Sequence, residues 1–328
     1  MAFDGKKIGA KFARFTILQT SYKTVAAHDI RADFIIPKSV DVRKKSPVIV
    51  RFHGGGLSTG DSLYEPWFPK WLLELAESSS AIIASANYRF LPEVTGADVL
   101  DDVDDFWSWL HSREAASFLG SSVSGLQLDL DRVITAGDSA GGLLSVYLAI
   151  SHAGDIRSAT AAYPSLHWDD PPIWAVPTPD ADTAASVIAA HLENLGGHGV
   201  QSSDPSLARA PLSTAITQGH RGPDFYFRGA SESARRGRLS QLGRLDEPDV
   251  RLPRGGLVIL HGKDDVVVKV GASERFVDKA RRTLQGRQGG DRIVLQLRPG
   301  DHGFEVDASI EEEWLRSALE FAVETWLN

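Results

Sequence analysis

The stretch at residues 137–142, with the sequence GDSAGG, most constrains what this chain can fold into. An apolar run at 133–136 precedes it and another at 143–150 follows it, which predicts a strand, a sharp turn and a helix. Glycines stand two residues to either side of Ser139, in the G-x-S-x-G spacing of a nucleophile elbow. Side chains at Gly137 and Gly141 would collide with the adjoining strand and helix, so the spacing predicts a serine at the tip of the turn.

Composition narrows the class of protein. The 328 residues are 42% apolar and 24% charged, an ordinary balance for a globular protein. The net charge of −8 argues against nucleic acid or an anionic membrane surface as a partner. The absence of cysteine excludes disulfides, thiolate metal sites and cysteine nucleophiles. Residues 1–7 lack the apolar core of a secretory signal and no apolar run reaches a membrane-spanning length, so we expect a cytoplasmic protein without a membrane span.

Short apolar runs alternate with helical patterns along the chain. This rhythm predicts a mainly parallel central sheet with helices on both faces. Period-two patterns at 15–18 and 30–36 predict a pair of antiparallel strands at one sheet edge. The other predicted strands lie at 47–52, 81–86, 133–136, 159–164, 256–260 and 292–297. The predicted helices lie at 64–77, 98–116, 143–152, 183–195, 271–285 and from a capping box at Ser309 to the end of the chain.

The rhythm breaks at residues 166–253. This segment contains several prolines and only patchy helical signals, of which the clearest, at 183–195, stops at the glycines 196–197. It is too long for a loop in a compact core. We therefore predict an inserted helical lid with one core helix.

Four predicted strands end in turns that carry chemistry. These turns are HGGG at 53–56, the elbow at Ser139, KDD at 263–265 and DHG at 301–303. The carboxyl ends of parallel strands meet at one edge of a sheet, so the four turns should lie together. A serine hydroxyl needs a base to accept its proton, and a histidine base needs a carboxylate to orient it.

The order of these residue types along the chain is informative. Ser139, then an aspartate near 264, then His302 is the order of a catalytic triad in an α/β-hydrolase. The backbone N–H groups of the glycine turn, with that of Ala140, can hold a tetrahedral oxyanion. The glycines do not complete G-x-G-x-x-G and the remaining histidines show no metal-ligand spacing, so we expect neither a cofactor nor a metal.

Four motifs together resemble the hormone-sensitive-lipase-like group of α/β-hydrolases, which includes microbial carboxylesterases. They are HGGG at 53–56, NYRFLPE at 87–93, GDSAGG at 137–142 and HGF at 302–304. The resemblance implies an α/β-hydrolase fold in a single domain at 1–328, with a lid from about 1–45 and part of 166–253. It further implies an oxyanion hole at Gly55, Gly56 and Ala140.

The chain departs from the family pattern at the acid. Where the family often has Pro-Leu-x-Asp after its acid, this chain has three valines after Asp265. The common H-G-x-x-D spacing selects Asp265, whereas counting from the strand selects Asp264; Asp265 is favoured, with the other as a helix cap or solvated. Leu57 replaces a common aromatic residue, which would reshape the acyl pocket.

The expected function is a serine hydrolase that cleaves a small to medium apolar ester or lactone through an acyl-enzyme. Ser139 would be the nucleophile, His302 the base and Asp265 the acid. Two alternatives stay open: an acyltransferase or cyclase with the same triad, and a non-catalytic receptor on the scaffold, which the presence of His302 disfavours. His53 and Asp138 are expected to support their turns. The candidates for lining the substrate pocket are Trp67, Trp168 and Trp174.

Overall fold

The computed structural model describes residues 9–166, 168, 179–195 and 199–328. The strands are β1 (Phe15–Val25), β2 (His28–Pro37), β3 (Ser46–Phe52), β4 (Ile82–Ala86), β5 (Leu128–Gly137), β6 (Ser158–Ala162), β7 (Leu257–Gly262) and β8 (Ile293–Arg298). The α-helices are α1 (Lys70–Ser78), α2 (Gly96–Leu110), α3 (Arg113–Ser122), α4 (Ala140–Ser151), α5 (Ala181–Glu193), α6 (Ala210–Thr217), α7 (Gly222–Tyr226), α8 (Glu232–Arg236), α9 (Gln241–Arg244), α10 (Val270–Thr283) and α11 (Glu313–Leu327). Short 3₁₀ helices lie at Ala10–Phe12 and Glu65–Trp67.

The described strands form one sheet in the order β1-β2-β4-β3-β5-β6-β7-β8. β1 pairs antiparallel with β2, and β2 pairs antiparallel with β4. All other neighbours run parallel. The predicted mainly parallel sheet with an antiparallel pair at its edge is therefore confirmed.

Helices cover both faces of this sheet because the central strands are apolar on both sides. In β3, Val48 and Val50 face a core built with α2, α4 and α10. Ile49, between them, faces a second core built with α1 and α11. Two apolar faces require two helical layers, which is the architecture that the strand runs predict.

Three predicted helices have different boundaries in the structure. The helix expected at 64–77 begins only at Lys70, because a separate 3₁₀ helix at Glu65–Trp67 and Pro69 precede it. The helix expected at 98–116 is split into α2 and α3, because the Ser112 hydroxyl accepts a hydrogen bond from the Ala115 amide at 3.2 Å and starts a new helix. The last helix begins at Glu313 rather than Ser309. The Ser309 hydroxyl donates to Glu74 of α1 at 2.9 Å, so it anchors the preceding turn instead of capping a helix.

The insertion between β6 and β7 is helical in its described part. It contains α5 to α9, and the segment from Ala210 to Pro223 forms part of the wall of a cavity described below. Residues 15–37 of the predicted amino-terminal lid segment form edge strands, and residues 1–8 lie outside the described residues. The predicted stop at 196–197 also lies outside them. Among the described residues, no helix is both long and apolar enough to cross a membrane.

The turn between β5 and α4 has the strained backbone of an elbow. Ser139 has φ 54° and ψ −118°, in the left-handed range that side chains disfavour. A Cβ atom at Gly137 would lie 2.1 Å from the Gly141 carbonyl oxygen, and one at Gly141 would lie 2.1 Å from the Phe52 carbonyl oxygen. The atoms that a side chain would meet belong to the backbone of α4 and β3, which cannot shift without disturbing the sheet. Both positions therefore require glycine.

We expect Gly141→Ala to destabilise the fold by about 3 kcal/mol or more, because the added methyl meets the backbone of β3. The matched control is Gly120→Ala in α3, where a Cβ meets no atom within 4 Å. This control should gain roughly 0.5–1 kcal/mol from helix propensity. Urea denaturation of both variants measures the difference. Equal stability of the two variants would contradict the crowding argument.

Candidate active site

The turns after β7 and β8 bring an aspartate and a histidine into direct contact. His302 Nδ1 donates to Asp265 Oδ2 at 2.8 Å. This bond fixes the proton on Nδ1 and leaves Nε2 free to act as a base. The Asp265 side chain is fully buried, whereas that of His302 is 23% exposed. The pair thus has a buried acid behind an accessible imidazole.

Asp265 is held as a carboxylate by several donors. Its Oδ1 accepts the amide N–H groups of Val267 and Val268, both at 2.8 Å. His261 Nε2 lies 3.4 Å from its Oδ2. Burial by itself would raise the pKa of Asp265, but the donors His261, His302 and the Val268 amide hold that pKa well below its usual range. Asp265 is therefore ionised wherever His302 can act as a base.

The neighbouring Asp264 has a different role. Its side chain is exposed, and its Oδ2 accepts the amide N–H of Gly300 at 2.9 Å. Asp301 makes the reciprocal contact, because its Oδ1 accepts the amide N–H of Val266 at 2.9 Å. These two bonds, called here the double latch, tie the turn after β7 to the turn after β8. Asp264 is part of the double latch, and Asp265 is the aspartate that contacts His302.

Ser139 and His302 line the same cavity, which has a volume of about 350 Å³. No hydrogen bond joins the Ser139 hydroxyl to the imidazole among the described residues. Such nucleophile–base contacts often tighten only when substrate binds. The cavity also contains all three glycines at 54–56, so three of the four turns predicted to converge line one space. The fourth, at 263–265, joins them through the bond from Asp265 to His302.

The amide groups near Ser139 are oriented by the glycine turn. Gly55 and Gly56 have φ of 105° and 62°, which a glycine adopts without strain. The Gly54 amide is engaged by Asp138 Oδ2 at 2.9 Å. In the described part of the chain, the amides of Gly55, Gly56 and Ala140 donate no hydrogen bond to protein atoms. These three N–H groups are therefore available to an oxyanion.

A buried ion pair joins the glycine turn to the elbow. Arg51 Nη2 donates to Asp138 Oδ1 at 2.8 Å, and both side chains are nearly inaccessible to solvent. The guanidinium carbon of Arg51 also lies 4.1 Å from the centre of the Phe68 ring. With its second oxygen on Gly54, Asp138 fixes the turn and the elbow relative to each other. An arginine inside the apolar run of β3 is the sequence signal for such a buried partner, and our sequence analysis missed it.

His53 supports the glycine turn, as predicted for it. Its Nδ1 donates to the Gly54 carbonyl at 2.7 Å, and its ring stacks on Tyr88 with 4.5 Å between ring centres. Burial lowers the pKa of His53 to about 4. The ring is thus neutral near pH 7 and adds no positive charge beside the nucleophile.

Sequence reasoning also missed the aromatic and acidic groups behind His302. The Tyr163 ring lies 4.3 Å from the His302 ring, centre to centre. The Tyr163 hydroxyl lies beside the carboxyl of Glu305, yet neither Glu305 oxygen completes a hydrogen bond within the described residues. Burial, and then the nearby Asp138 carboxylate, raise the pKa of Glu305 to about 8. Glu305 is a buried neutral acid at pH 7.

The cavity wall is largely apolar, with tryptophan side chains in it. Trp67 and Trp168 line it as predicted, while Trp174 lies outside the described residues. Leu57 is fully buried in the core and is absent from the described lining of the cavity. The presence of leucine at this position, where the family commonly has an aromatic residue, therefore does not change the cavity wall directly. The lining also includes α6 and residues after it, through Thr214, Thr217 and others as far as Pro223.

Comparisons with known proteins agree with this fold. A family model described as an alpha/beta hydrolase fold matches residues 49–192. Over 338 residues the chain is 30% identical to probable carboxylesterase M8 of a Phoma species, which covers 99% of this chain and 100% of that protein. It is also 32% identical to tuliposide A-converting enzyme 2 of Tulipa gesneriana over 138 residues. That alignment covers 42% of this chain and 36% of that protein.

Solved structures of two esterases share the fold. Esterase 2 of Thermogutta terrifontis, phosphonylated by sarin, has a TM-score of 0.59 and 18% identity over 93% of this chain and 92% of its own. An esterase of Pyrobaculum calidifontis has a TM-score of 0.59 and 19% identity over 94% of this chain and 84% of its own. The fold is that of an α/β-hydrolase. The full-length similarity to the Phoma protein shows that the chain belongs to the carboxylesterase-type family of these hydrolases, as the motifs predict, and the protein is a carboxylic ester hydrolase.

Replacement of the buried acid Glu305 should change how stability depends on pH. Its folded pKa of about 8 exceeds the ordinary value of 4.5, so the folded chain retains a proton that the unfolded chain loses in this interval. The free energy of unfolding therefore falls as the pH rises through that window. Relative to Glu305→Gln, the wild type should lose on the order of 3 kcal/mol between about pH 5 and pH 8.

Urea denaturation at both pH values measures this loss. The exposed Glu320→Gln is the matched control and should follow the wild type. Curves for wild type and Glu305→Gln that stay parallel across the window would show that Glu305 is ionised in the folded chain.

Proposed function

We propose that the chain hydrolyses carboxylic esters or lactones of small to medium apolar substrates through an acyl-enzyme. Ser139 is the nucleophile, His302 the general base and Asp265 the acid that orients it. The strongest support is one arrangement: the Asp265–His302 pair, with its bond of 2.8 Å, faces the cavity that also contains Ser139 on its strained turn.

The first half of the reaction transfers the acyl group to the enzyme. Ser139 Oγ attacks the ester carbonyl carbon while its proton passes to His302 Nε2. The carbonyl oxygen becomes an oxyanion that accepts hydrogen bonds from the amides of Gly55, Gly56 and Ala140. The carbon–oxygen bond to the leaving alcohol then breaks, and the alcohol oxygen takes the proton from Nε2.

The second half releases the acid. Water attacks the acyl carbon and gives its proton to His302 Nε2, and a second oxyanion forms at the same three amides. The bond to Ser139 Oγ breaks as Nε2 returns the proton to the serine. Asp265 stays ionised throughout and stabilises the imidazolium that forms in each half.

The size and lining of the cavity support the substrate class. A volume of about 350 Å³ lies at the lower end of the usual range for small-molecule sites. Trp67, Val267 and Val306 line it, and these side chains favour an apolar acyl or alcohol group. The proposed substrate is thus an ester whose larger part is apolar.

Ser139→Ala should abolish turnover of p-nitrophenyl butyrate, because no other described hydroxyl stands at the elbow. The fall in kcat should be on the order of 10⁵-fold or more. Wild-type enzyme should also be labelled covalently by a fluorophosphonate, with the added mass on Ser139. Retained turnover in the variant would refute the proposed function. Product analysis with an added alcohol acceptor separates hydrolysis from acyl transfer.

The two adjacent aspartates give a matched pair of variants. Asp265→Asn should lower kcat by about 10³–10⁴-fold, because an amide no longer holds the proton on His302 Nδ1. Asp264→Asn keeps an oxygen for the Gly300 amide and should stay within about threefold of wild type. Rates with p-nitrophenyl butyrate at saturating substrate measure both. A larger loss in the Asp264 variant would reverse the assignment.

A further inference from the structure

Arg209, which stands at the amino end of α6, contacts three residues in two separate segments of the chain, at 58 and at 91–93. Its Nε donates to the Ser58 carbonyl at 2.7 Å and its Nη2 to the Leu91 carbonyl at 2.8 Å. Its Nη1 donates to Glu93 Oε1 at 2.7 Å. The side chain is only 12% exposed, so these bonds are made in a largely desolvated place. Arg209 is thus a junction between the insertion and the scaffold.

The Ser58 end of this junction lies just after the glycine turn and is hydrogen-bonded to it. The Ser58 amide donates to the Gly55 carbonyl at 3.0 Å, and its hydroxyl donates to the Gly56 carbonyl at 3.3 Å. The Ser58–Thr59 peptide that Arg209 holds also donates its N–H to the Gly55 carbonyl at 3.1 Å, so it is tied directly to the turn that carries the proposed oxyanion donors. A shift of Ser58 would rotate the peptide planes of Gly55 and Gly56.

The helix that follows Arg209 packs on this turn. Ser213 of α6 donates its hydroxyl to the Gly55 carbonyl at 3.1 Å. A Cβ atom at Gly56 would lie 2.4 Å from Thr217 Cγ2, so the turn and α6 are in close contact. The insertion thus braces the turn at Gly55 and Gly56, while Asp138 holds it at the Gly54 amide.

Glu93 anchors Arg209 in the scaffold. Its side chain is 1% exposed, and it also accepts a hydrogen bond from His191 of α5 at 2.9 Å. Burial alone would raise the pKa of Glu93, but the hydrogen bonds and charge of Arg209, with His191, keep that pKa below its ordinary value. The pair is therefore an ionised, bidentate contact, which gives a fixed direction to the guanidinium plane.

We propose that Arg209 is a positioning residue for the oxyanion turn, which it locks to α6 and Glu93 so that the Gly55 and Gly56 amides keep the direction needed to bind an oxyanion. The inference rests on the proposed ester hydrolysis and goes beyond it, because it assigns part of the transition-state geometry to the insertion. A brace of this kind acts on the oxyanion and leaves ground-state binding of the ester largely unchanged.

The test replaces Arg209 with lysine, which keeps the charge beside Glu93 but, as a compact ammonium, cannot bond to Ser58, Leu91 and Glu93 together. For p-nitrophenyl butyrate we expect kcat to fall about 10–100-fold, while KM stays within about threefold of wild type. This fall in kcat is smaller than the one caused by removing an oxyanion donor outright, because the amides are displaced and not lost. The inhibition constant of a trifluoromethyl ketone, which forms an oxyanion on Ser139, should rise in proportion to the loss of kcat/KM. A purely structural role would not link these two quantities.

Arg228→Lys is the matched control. Arg228 donates to the carbonyls of Pro92, Glu93 and Val94, in the same segment, and makes no contact with the glycine turn among the described residues. Its kcat and its inhibition constant should stay near those of wild type. Equal losses in both arginine variants, an unchanged kcat in Arg209→Lys, or a change in KM alone would each overturn the inference.

Ser213→Ala provides a second, milder variant in case Arg209→Lys does not fold. It removes the other brace on the Gly55 carbonyl and should lower kcat about threefold to tenfold, with a proportional rise in the inhibition constant. Unchanged values in a folded Ser213→Ala would then overturn the inference. Failure of the proposed function gives a different result, because Ser139→Ala would then retain turnover. An inactive Ser139→Ala together with an unaffected Arg209→Lys overturns only the role of Arg209.

Discussion

The buried ion pair between Arg51 and Asp138 is the interaction on which the site depends most. β3 and β5 are parallel neighbours, with Arg51 opposite Ala136, so their carboxyl ends lie side by side. The ion pair, with the bond from the Gly54 amide to Asp138, converts this proximity into a fixed relation between the elbow and the glycine turn. Removing one partner of such a pair leaves a charge buried, which typically costs 3–5 kcal/mol. Stability and the geometry of the site therefore depend on the same contact.

The sheet and the location of the site could be predicted from the sequence because both follow from local patterns. Apolar runs indicate buried strands, and the carboxyl ends of parallel strands meet at one edge. The choice between Asp264 and Asp265 could not be made in this way. Consecutive side chains in the turn point in opposite directions, and only the backbone shows that Asp265 faces inward, where two valine amides bind it. The start of α11 was missed for a related reason, since Ser309 contacts a distant glutamate.

The remaining features depend on contacts between segments far apart in the chain. Glu305 looks in the sequence like any solvated glutamate, and only the packing of Tyr163 and the residues around it makes it a buried acid. Arg209 stands in a segment without periodicity, and its three acceptors lie more than a hundred residues away. Such contacts leave no pattern in a single sequence. Arg51 is the exception, because a charge within an apolar strand predicts a buried partner.

The double latch has a consequence for how enzymes of this architecture can diversify. Asp264 and Asp301 tie the two turns that carry the Asp265–His302 pair, so acid and base form one rigid unit at the β7–β8 side of the sheet. The wall of the cavity formed by α6 comes from a different part of the chain. Exchange or lengthening of the insertion beyond α6 can therefore alter which molecules fit, while the proton-transfer apparatus is inherited intact. Selectivity and proton transfer are, in this sense, separately heritable parts of one polypeptide.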